Sequence, residues 1–301
     1  MYTDLILDQS PRKRMQTTGV IVLCILMVVN IIRTIHGEKI RVVDLTFTLT
    51  TSTIYWPGNH DFNFTILYRG QSGSYWYESN YFSTPEHGGT HLDAPAHFYK
   101  GKWRTHEIPV ERLIGPGVII DVTSKATADH DYRVQISDLQ AWESKYGNIP
   151  QGAIVLMNSG WAKRYPIKKE VFGTLNISNP TYFHFPAFHE GTVEWLITNR
   201  NISMVGVDTP SVDYGQSKTF PVHQVLGKHN VPGLENIGYL DSIPEKGATI
   251  FIGIIKLFDG SGGPVRIIAT YDADASSANV IGCINIIRLF SIFTSFFIFG
   301  Y

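Results

Sequence analysis

The chain of 301 residues carries 25 basic and 26 acidic side chains, a formal net charge of −1 that leaves no basic stripe to track a nucleic acid. Its length supports a core that needs no disulfide or metal to close it, and its two cysteines, Cys24 and Cys283, both fall in apolar terminal segments. A disulfide framework, a thiolate metal site and a cysteine nucleophile are therefore excluded from the body, and the predicted partner is a small molecule.

Residues 1–37 hold a basic cluster, Arg12, Lys13 and Arg14, followed by an apolar run from Gly19 to Ile32. A run of about 14 residues fits the h-region of a signal peptide better than a membrane span of about 20. The cleavage site is poor, since Ile35 and Gly37 match the small-x-small pattern only loosely, so an uncleaved signal anchor is the alternative. Residues 38–275 form a steady body without linker or repeat. Short β-branched runs recur through it: KIRVVDLTF, GVIIDV, AIVLMN, MVGVD and ATIFIGII. Most are continuously apolar, the pattern of strands buried on both faces. Helices are predicted at Ile136–Tyr146, with Ser137 as N-cap, and at Glu190–Asn199, with Val193, Leu196 and Ile197 on one face. The body reads as a single mixed α/β domain, strand-rich, its strand order open.

Residues 276–301 form an apolar tail interrupted by Arg288 and preceded by the small residues Asp274, Ala275, Ser276 and Ser277. This resembles a lipid-anchor addition signal, with a transmembrane anchor or a misjudged extra tail as alternatives. Sequons at Asn63, Asn176 and Asn201 fit a glycosylating compartment. The two ends together predict a secretory-pathway protein, secreted or membrane-anchored, with its catalytic domain extracellular or lumenal.

The chemistry concentrates in HGGTHLDAPAHF, from His87 to Phe98. His87 and His91 stand four apart, the spacing of a zinc-binding helix, but Gly88 and Gly89 would each cost about 1 kcal/mol there and Pro95 would break its continuation. The segment is predicted to be extended or looped. Residues two apart on an extended chain point the same way, so His91 and Asp93 face a common point while Leu92 packs behind. The Gly-Gly pair lets the chain bend His87 toward that point, and its missing side chains are expected to leave room for substrate. Imidazole and carboxylate without thiolate suit zinc, manganese or iron(II), with positions left open for water. His97 is then available as a general acid or base.

HGGTHLDAPAHF resembles the HxGTHxDxPxHF signature of the cyclase family, which includes bacterial-type kynurenine formamidases, isatin hydrolases and some polyketide-processing enzymes. Further segments resemble the family in the same order: VVDLT at Val42, YWPGN at Tyr55, MNSGWAKR at Met157, VGVDTPSVDYG at Val205 and PVHQVLGKHNVPGLENI at Pro221. The resemblance runs from about Arg41 to Ala269. It implies an α/β fold of the swivelling β/β/α type and metal contacts by His87, His91 and Asp93, with Asp93 able to bridge. It also implies a second-metal ligand at His223, a further ligand at Glu235, proton transfer by His97 and a substrate contact by Trp56. The isatin hydrolase branch carries glutamine where Glu235 stands and uses one manganese, so the carboxylate here points to two Zn2+, with Mn2+ as the alternative. Asp208 and Asp213 are expected to fix their loop and support the site rather than bind metal, and His229 is expected to be exposed.

The resemblance thus implies a metal-dependent amide hydrolase, first an arylformamidase converting N-formylkynurenine to kynurenine and formate in tryptophan catabolism. Hydrolysis of an isatin-like lactam or another aryl amide is the alternative. A catalytically inactive metal-containing binding protein is the rival of another class; its sign would be a missing ligand or a missing His97. The family also implies a homo-oligomer, dimer or tetramer. Asn59, after WPG where many members carry an acid, leaves substrate choice open, as do the aromatic residues Tyr75, Trp76, Tyr77, Phe98 and Trp103.

Overall fold

The computed structural model describes residues 39–273. The chain divides into two compact units, Arg41–Tyr271 and a unit formed by the two ends, Met1–Ile40 and Asp272–Tyr301. Of the latter only residues 39, 40, 272 and 273 are described, so the signal-like segment, the tail and both cysteines lie outside the described residues. No helix of the described residues is long and apolar enough to cross a membrane.

Among the described residues twelve strands form, in chain order: β1 (Ile40–Asp44), β2 (Asn63–Ser72), β3 (Tyr75–Ser83), β4 (His91–Asp93), β5 (Ile114–Asp121), β6 (Arg133–Val134), β7 (Ile154–Asn158), β8 (Ala187–Phe188), β9 (Met204–Val207), β10 (Gly233–Glu235), β11 (Lys246–Ile254) and β12 (Gly262–Asp272). The main sheet has the order β1-β12-β11-β5-β7-β9-β10-β4, and β4 pairs in addition with β12. That last pairing closes the sheet into a barrel. Its centre, β5-β7-β9-β10, is parallel, while β11, β12 and β4 join it antiparallel.

The five β-branched runs named from the sequence all became strands of this sheet, and their continuous apolarity has a direct cause. On β5, Ile119 packs with the barrel interior and Val118 and Ile120 with the outer layer; on β7, Ile154 and Leu156 point inward and Val155 and Met157 outward. Both faces are buried, so both residues of each pair are apolar. The outer layer is completed by the helices Ile136–Tyr146, Glu190–Arg200 and Pro221–Lys228, through Leu139, Trp142, Val193, Leu196, Val222 and Leu226.

The first of these helices has the predicted span but not the predicted cap. Gln135 is the N-cap, in a capping box with Asp138, whose carboxylate accepts from the Gln135 backbone N–H at 2.7 Å. Asp138 is also held by the Tyr132 hydroxyl and by Lys125, which fixes the cap two residues ahead of Ser137. The strands unannounced by hydropathy are the short or glycine-bearing ones, β4, β6, β8, β10 and β12, and the hairpin β2–β3.

Leu156 is fully buried in the barrel interior. Leu156→Ala is expected to lower the unfolding free energy by about 2–5 kcal/mol in a urea titration, through lost burial and the cavity left behind. A loss below about 1 kcal/mol would mean that the barrel interior collapses around the gap.

Candidate active site

The strands β4 and β10 run antiparallel with Glu235 opposite His91 and Gly233 opposite Asp93. Leu92 and Leu234 pack into the barrel interior, so alternation sends His91, Asp93 and Glu235 together to the outer face. The helix Pro221–Lys228 brings His223 to the same point, its Nε2 3.1 Å from Asp93 Oδ2 and 3.2 Å from Glu235 Oε1. Nε2 of His91 lies 3.3 Å from Asp93 Oδ1 and 3.5 Å from Glu235 Oε2. Each carboxylate therefore spans two imidazoles.

The tautomers follow from the far sides of the rings. Nδ1 of His91 lies 3.0 Å from the Gly89 carbonyl, and Nδ1 of His223 lies 2.7 Å from Asp213 Oδ2. Both partners only accept, so Nδ1 carries the proton and each Nε2 lone pair faces Asp93 and Glu235. Acceptors thus confront acceptors among four buried side chains, and among the described residues no lysine or arginine lines the cavity they border. Positive charge has to sit between them, as protons or as a cation. In the absence of an ion, burial would lower the His91 pKa, but the carboxylates of Asp93 and Glu235 prevail and push it up to about 9. His223 is likewise raised well above the imidazole range, against burial, by Asp213, Asp93 and Glu235. Burial opposes ionisation of Asp93, yet the surrounding imidazoles of His87, His97 and His223 hold it well below the usual carboxylate range.

His87 reaches the group from the preceding loop. Its Nδ1 lies 2.6 Å from Asp93 Oδ1 and its Nε2 3.0 Å from Ser261 Oγ, which donates in turn to Glu86. His97 stacks on His87, ring centroids 3.8 Å apart, with its other edge in solvent. Burial of the packed edge, with the neighbouring imidazoles and against the pull of Asp93, holds its pKa down to about 4. Among the described residues two donor sets share Asp93: His91, Asp93 and Glu235, and His87, Asp93 and His97.

The glycines play one of the two parts expected of them, the bend, but not the other. Gly89 has φ +57, which permits the bend that turns His87 inward. The space beside Gly88 is filled by Tyr55 rather than left for substrate: a Cβ there would lie 2.0 Å from Tyr55 Cδ1. The substrate-sized space is a cavity of about 290 Å³ between the acidic group and the aromatic wall of Trp56, Phe98, Phe172 and Phe220, with Asn59 at its edge. Trp56 is held edge-on by Phe183 and Phe172, at centroid distances of 5.3 and 6.2 Å.

All seven site residues named from the sequence line this cavity. Of the other aromatic candidates only Phe98 does so; Tyr75, Trp76 and Tyr77 lie exposed on β3, and Trp103 packs against the barrel core. His229 is half-buried instead of exposed, because Nε2 pairs with Glu194 at 3.1 Å. Asp213 accepts from the Val222 and His223 backbones as well as the His223 ring, and Asp208 accepts from Ser159 and Trp161 in the adjoining loop. Sequence reasoning missed Tyr55, Phe172, Phe220, Glu86 and Ser261. Phe220 stood one residue before the PVHQ segment, but Glu86 and Ser261 meet across 175 positions and left no local signal.

Comparison with known proteins places this closed, mixed barrel and its acid- and imidazole-rich outer site in a known family. The family described as "Putative cyclase" matches residues 43–214. An isatin hydrolase of Roseibium aggregatum is 31% identical over 198 residues, 63% of this chain and 73% of that protein. A kynurenine formamidase of Erythrobacter litoralis is 26% identical over 236 residues, 78% of this chain and 96% of that protein. Among solved structures, isatin hydrolase A from Ralstonia solanacearum superposes with a TM-score of 0.71 at 32% identity, covering 82% of this chain and 97% of that one. The chain belongs to the cyclase family and is a hydrolase acting on amide C–N bonds.

The same comparisons overturn the localisation read from the chain's ends. The relatives are bacterial enzymes, and nothing in the likeness supports secretion, membrane attachment or glycosylation at Asn63, Asn176 or Asn201. An apolar run of targeting length constrains very little by itself, and sequons arise readily by chance.

Burial pushes the Asp208 carboxyl up to about 6 despite the hydrogen bonds from Ser159 and Trp161. This folded value lies above the unfolded one of about 3.9. The associated stability is complete below pH ~4 and is lost as the pH rises through about 6. Asp208→Asn removes that titration. Its unfolding free energy is expected to rise relative to wild type by up to about 3 kcal/mol between pH 4 and pH 7. Urea denaturation of both proteins at the two pH values measures it; a constant difference would contradict a raised carboxyl.

Proposed function

We propose that the chain is a divalent-metal-dependent hydrolase of aryl amides, with the formamide of N-formylkynurenine as its first substrate. The observation that carries this reading is the set of buried acceptors, His91, Asp93, His223 and Glu235, facing one another without a basic side chain beside an aromatic-walled cavity. The donor set fits divalent ions: His87, His91 and Asp93 would hold one, and His223 and Glu235, with Asp93 shared, a second. Imidazole and carboxylate favour Zn2+, with Mn2+ also suited. A bound ion supplies Lewis acidity and a water of lowered pKa.

The chain's own groups provide the rest. Asp213 and the Gly89 carbonyl fix the orientation of His223 and His91, and the Val212 backbone N–H donates to Glu235 Oε1 at 3.0 Å. Trp56, Phe98 and Phe220 hold the aryl ring and exclude water around the scissile amide. His97, neutral at pH 7, takes a proton from the attacking water and returns it to the aniline nitrogen as the C–N bond breaks. Formate and the free aniline are the products.

The greater likeness to isatin hydrolases favours a second reading, the opening of an isatin-like lactam at the same centre. The lactam carbon is attacked in the same way, and the released nitrogen stays tethered. Initial rates on N-formylkynurenine and isatin, measured on metal-stripped protein with zinc and then manganese restored, separate the two. Absence of turnover on both, with metal bound, would exclude both substrates and overturn this reading of the substrate.

His97→Ala is expected to retain metal, by elemental analysis, while turnover falls about 10²–10⁴-fold. Parallel loss of metal and activity would instead place His97 among the ligands. Asp213→Ala removes the acceptor that orients His223, and chelator competition is expected to show metal binding about 10–100-fold weaker. Unchanged affinity would mean that the helix alone holds His223 in place.

A further inference from the structure

His87 differs from two other imidazoles of the site in the nitrogen it turns inward. His91 and His223 face Asp93 and Glu235 through Nε2, whereas His87 faces Asp93 through Nδ1, 2.6 Å from Oδ1. Its outer nitrogen, Nε2, lies 3.0 Å from Ser261 Oγ. A serine hydroxyl has one proton to give, and a carboxylate only accepts. Glu86 Oε2 accepts from the Ser261 hydroxyl and, at 3.0 Å, from the Ser261 backbone N–H. The hydroxyl proton goes to this carboxylate, because a charge-assisted hydrogen bond outweighs a neutral one. Oγ then turns a lone pair to His87, and Nε2 must donate to it. Nε2 therefore carries a proton whatever stands on the inner side of the ring. Nδ1 is the nitrogen that meets Asp93, through a shared proton or through a shared cation.

The groups that hold this ring are remote in sequence. The Ala94 backbone N–H donates to the Ser261 carbonyl at 2.8 Å, which ties Ser261 to the chain just past β4. Gly262, the first residue of β12, pairs with Asp93, and a Cβ on it would lie 2.4 Å from His87 Cε1. The missing side chain is what lets the imidazole come this close to the strand. His97 stacks on the ring with centroids 3.8 Å apart. Such packing fixes the plane of the ring but does not oppose turning it over, which would carry Nδ1 away from Asp93. The hydrogen bond from Nε2 to Ser261 opposes that turn from the outer side.

We propose that Ser261 and Glu86 are a pair of positioning residues: they hold Nε2 of His87 protonated and outward, so that Nδ1 is the atom His87 offers to a divalent ion. Neither residue lines the cavity, so both act through His87 rather than on substrate. A carboxylate behind a ligating imidazole fixes its tautomer and orientation and raises its basicity. Here that carboxylate acts through a hydroxyl. The inference rests on the metal-dependent reading above and extends it to two residues outside the ligand set.

Zn2+ affinity of the full chain, measured by chelator competition, is expected to fall about 10–100-fold in Ser261→Ala and in Glu86→Ala. Ser261→Thr keeps the hydroxyl and is expected to stay near wild type, which separates loss of the hydrogen bond from failure to fold. The double variant Ser261→Ala with Glu86→Ala is expected to bind no more weakly than the weaker single variant, because the two residues act as one chain. Long-range nitrogen NMR correlation spectra of the Zn2+-loaded chain are expected to show His87 protonated at Nε2 and bound through Nδ1, with His91 and His223 the reverse. His87→Asn puts an amide oxygen where Nδ1 stood and His87→Gln puts one where Nε2 stood, so the asparagine variant is expected to bind Zn2+ more tightly. Unchanged affinity in both alanine variants, or Zn2+ on Nε2 of His87, would overturn the inference and leave the metal site standing. A wild-type chain that binds neither Zn2+ nor Mn2+ would overturn the metal-dependent reading and this inference with it.

Discussion

Barrel closure falls to a strand of only three residues, His91 to Asp93, hydrogen-bonded to β10 on one side and to β12 on the other. Its middle residue, Leu92, is fully buried in the interior. The two flanking side chains therefore have no alternative to the outer face. Opposite them, Leu234 does the same for Glu235. The candidate site is thus a by-product of closing the sheet. The alternation that packs two leucines into the core is also what brings an imidazole and two carboxylates together, and a slip of one residue in that register would exchange the two sets.

The group assembled in this way is electrostatically unfinished. Most buried acids in proteins are matched by donors, and Asp208 shows how this chain does it elsewhere, with hydrogen bonds from Ser159 and Trp161. Around Asp93 and Glu235 the neighbouring nitrogens are instead turned lone pair first, because Gly89 and Asp213 take the protons on the far sides of the rings. Those two remote acceptors cost the fold a stable hydrogen-bonded site and leave one suited to a cation. Burial pushes His97, packed against His87, toward the neutral form against the pull of Asp93, while the carboxylates push His91 and His223 toward the charged one.

Much of this was legible before any coordinate. Continuous apolar runs identify β5, β7 and β9, because a strand covered on both faces has no polar position to spare. The glycines and proline in HGGTHLDAPAHF exclude a helix, and the period of an extended chain then unites His91 with Asp93. His223 and Glu235 became visible only through resemblance to the cyclase family, since no local pattern distinguishes a ligand from a capping histidine or an exposed acid. The chain's ends were the place where local reading misled. Hydropathy alone made them targeting segments, and the relatives do not support it.

By itself the sequence determined the strand-rich α/β class, the extended conformation of the histidine motif and the side chains able to bind a metal there. These are properties of spacing and of local backbone chemistry, which neighbouring residues settle among themselves. Tertiary structure alone decided that β4 closes a barrel between β10 and β12, that Tyr55 and not substrate fills the space beside Gly88, and that Ser261 and Glu86 reach His87. Each of these depends on groups far apart in the chain, and only the closed sheet brings their atoms within range of one another.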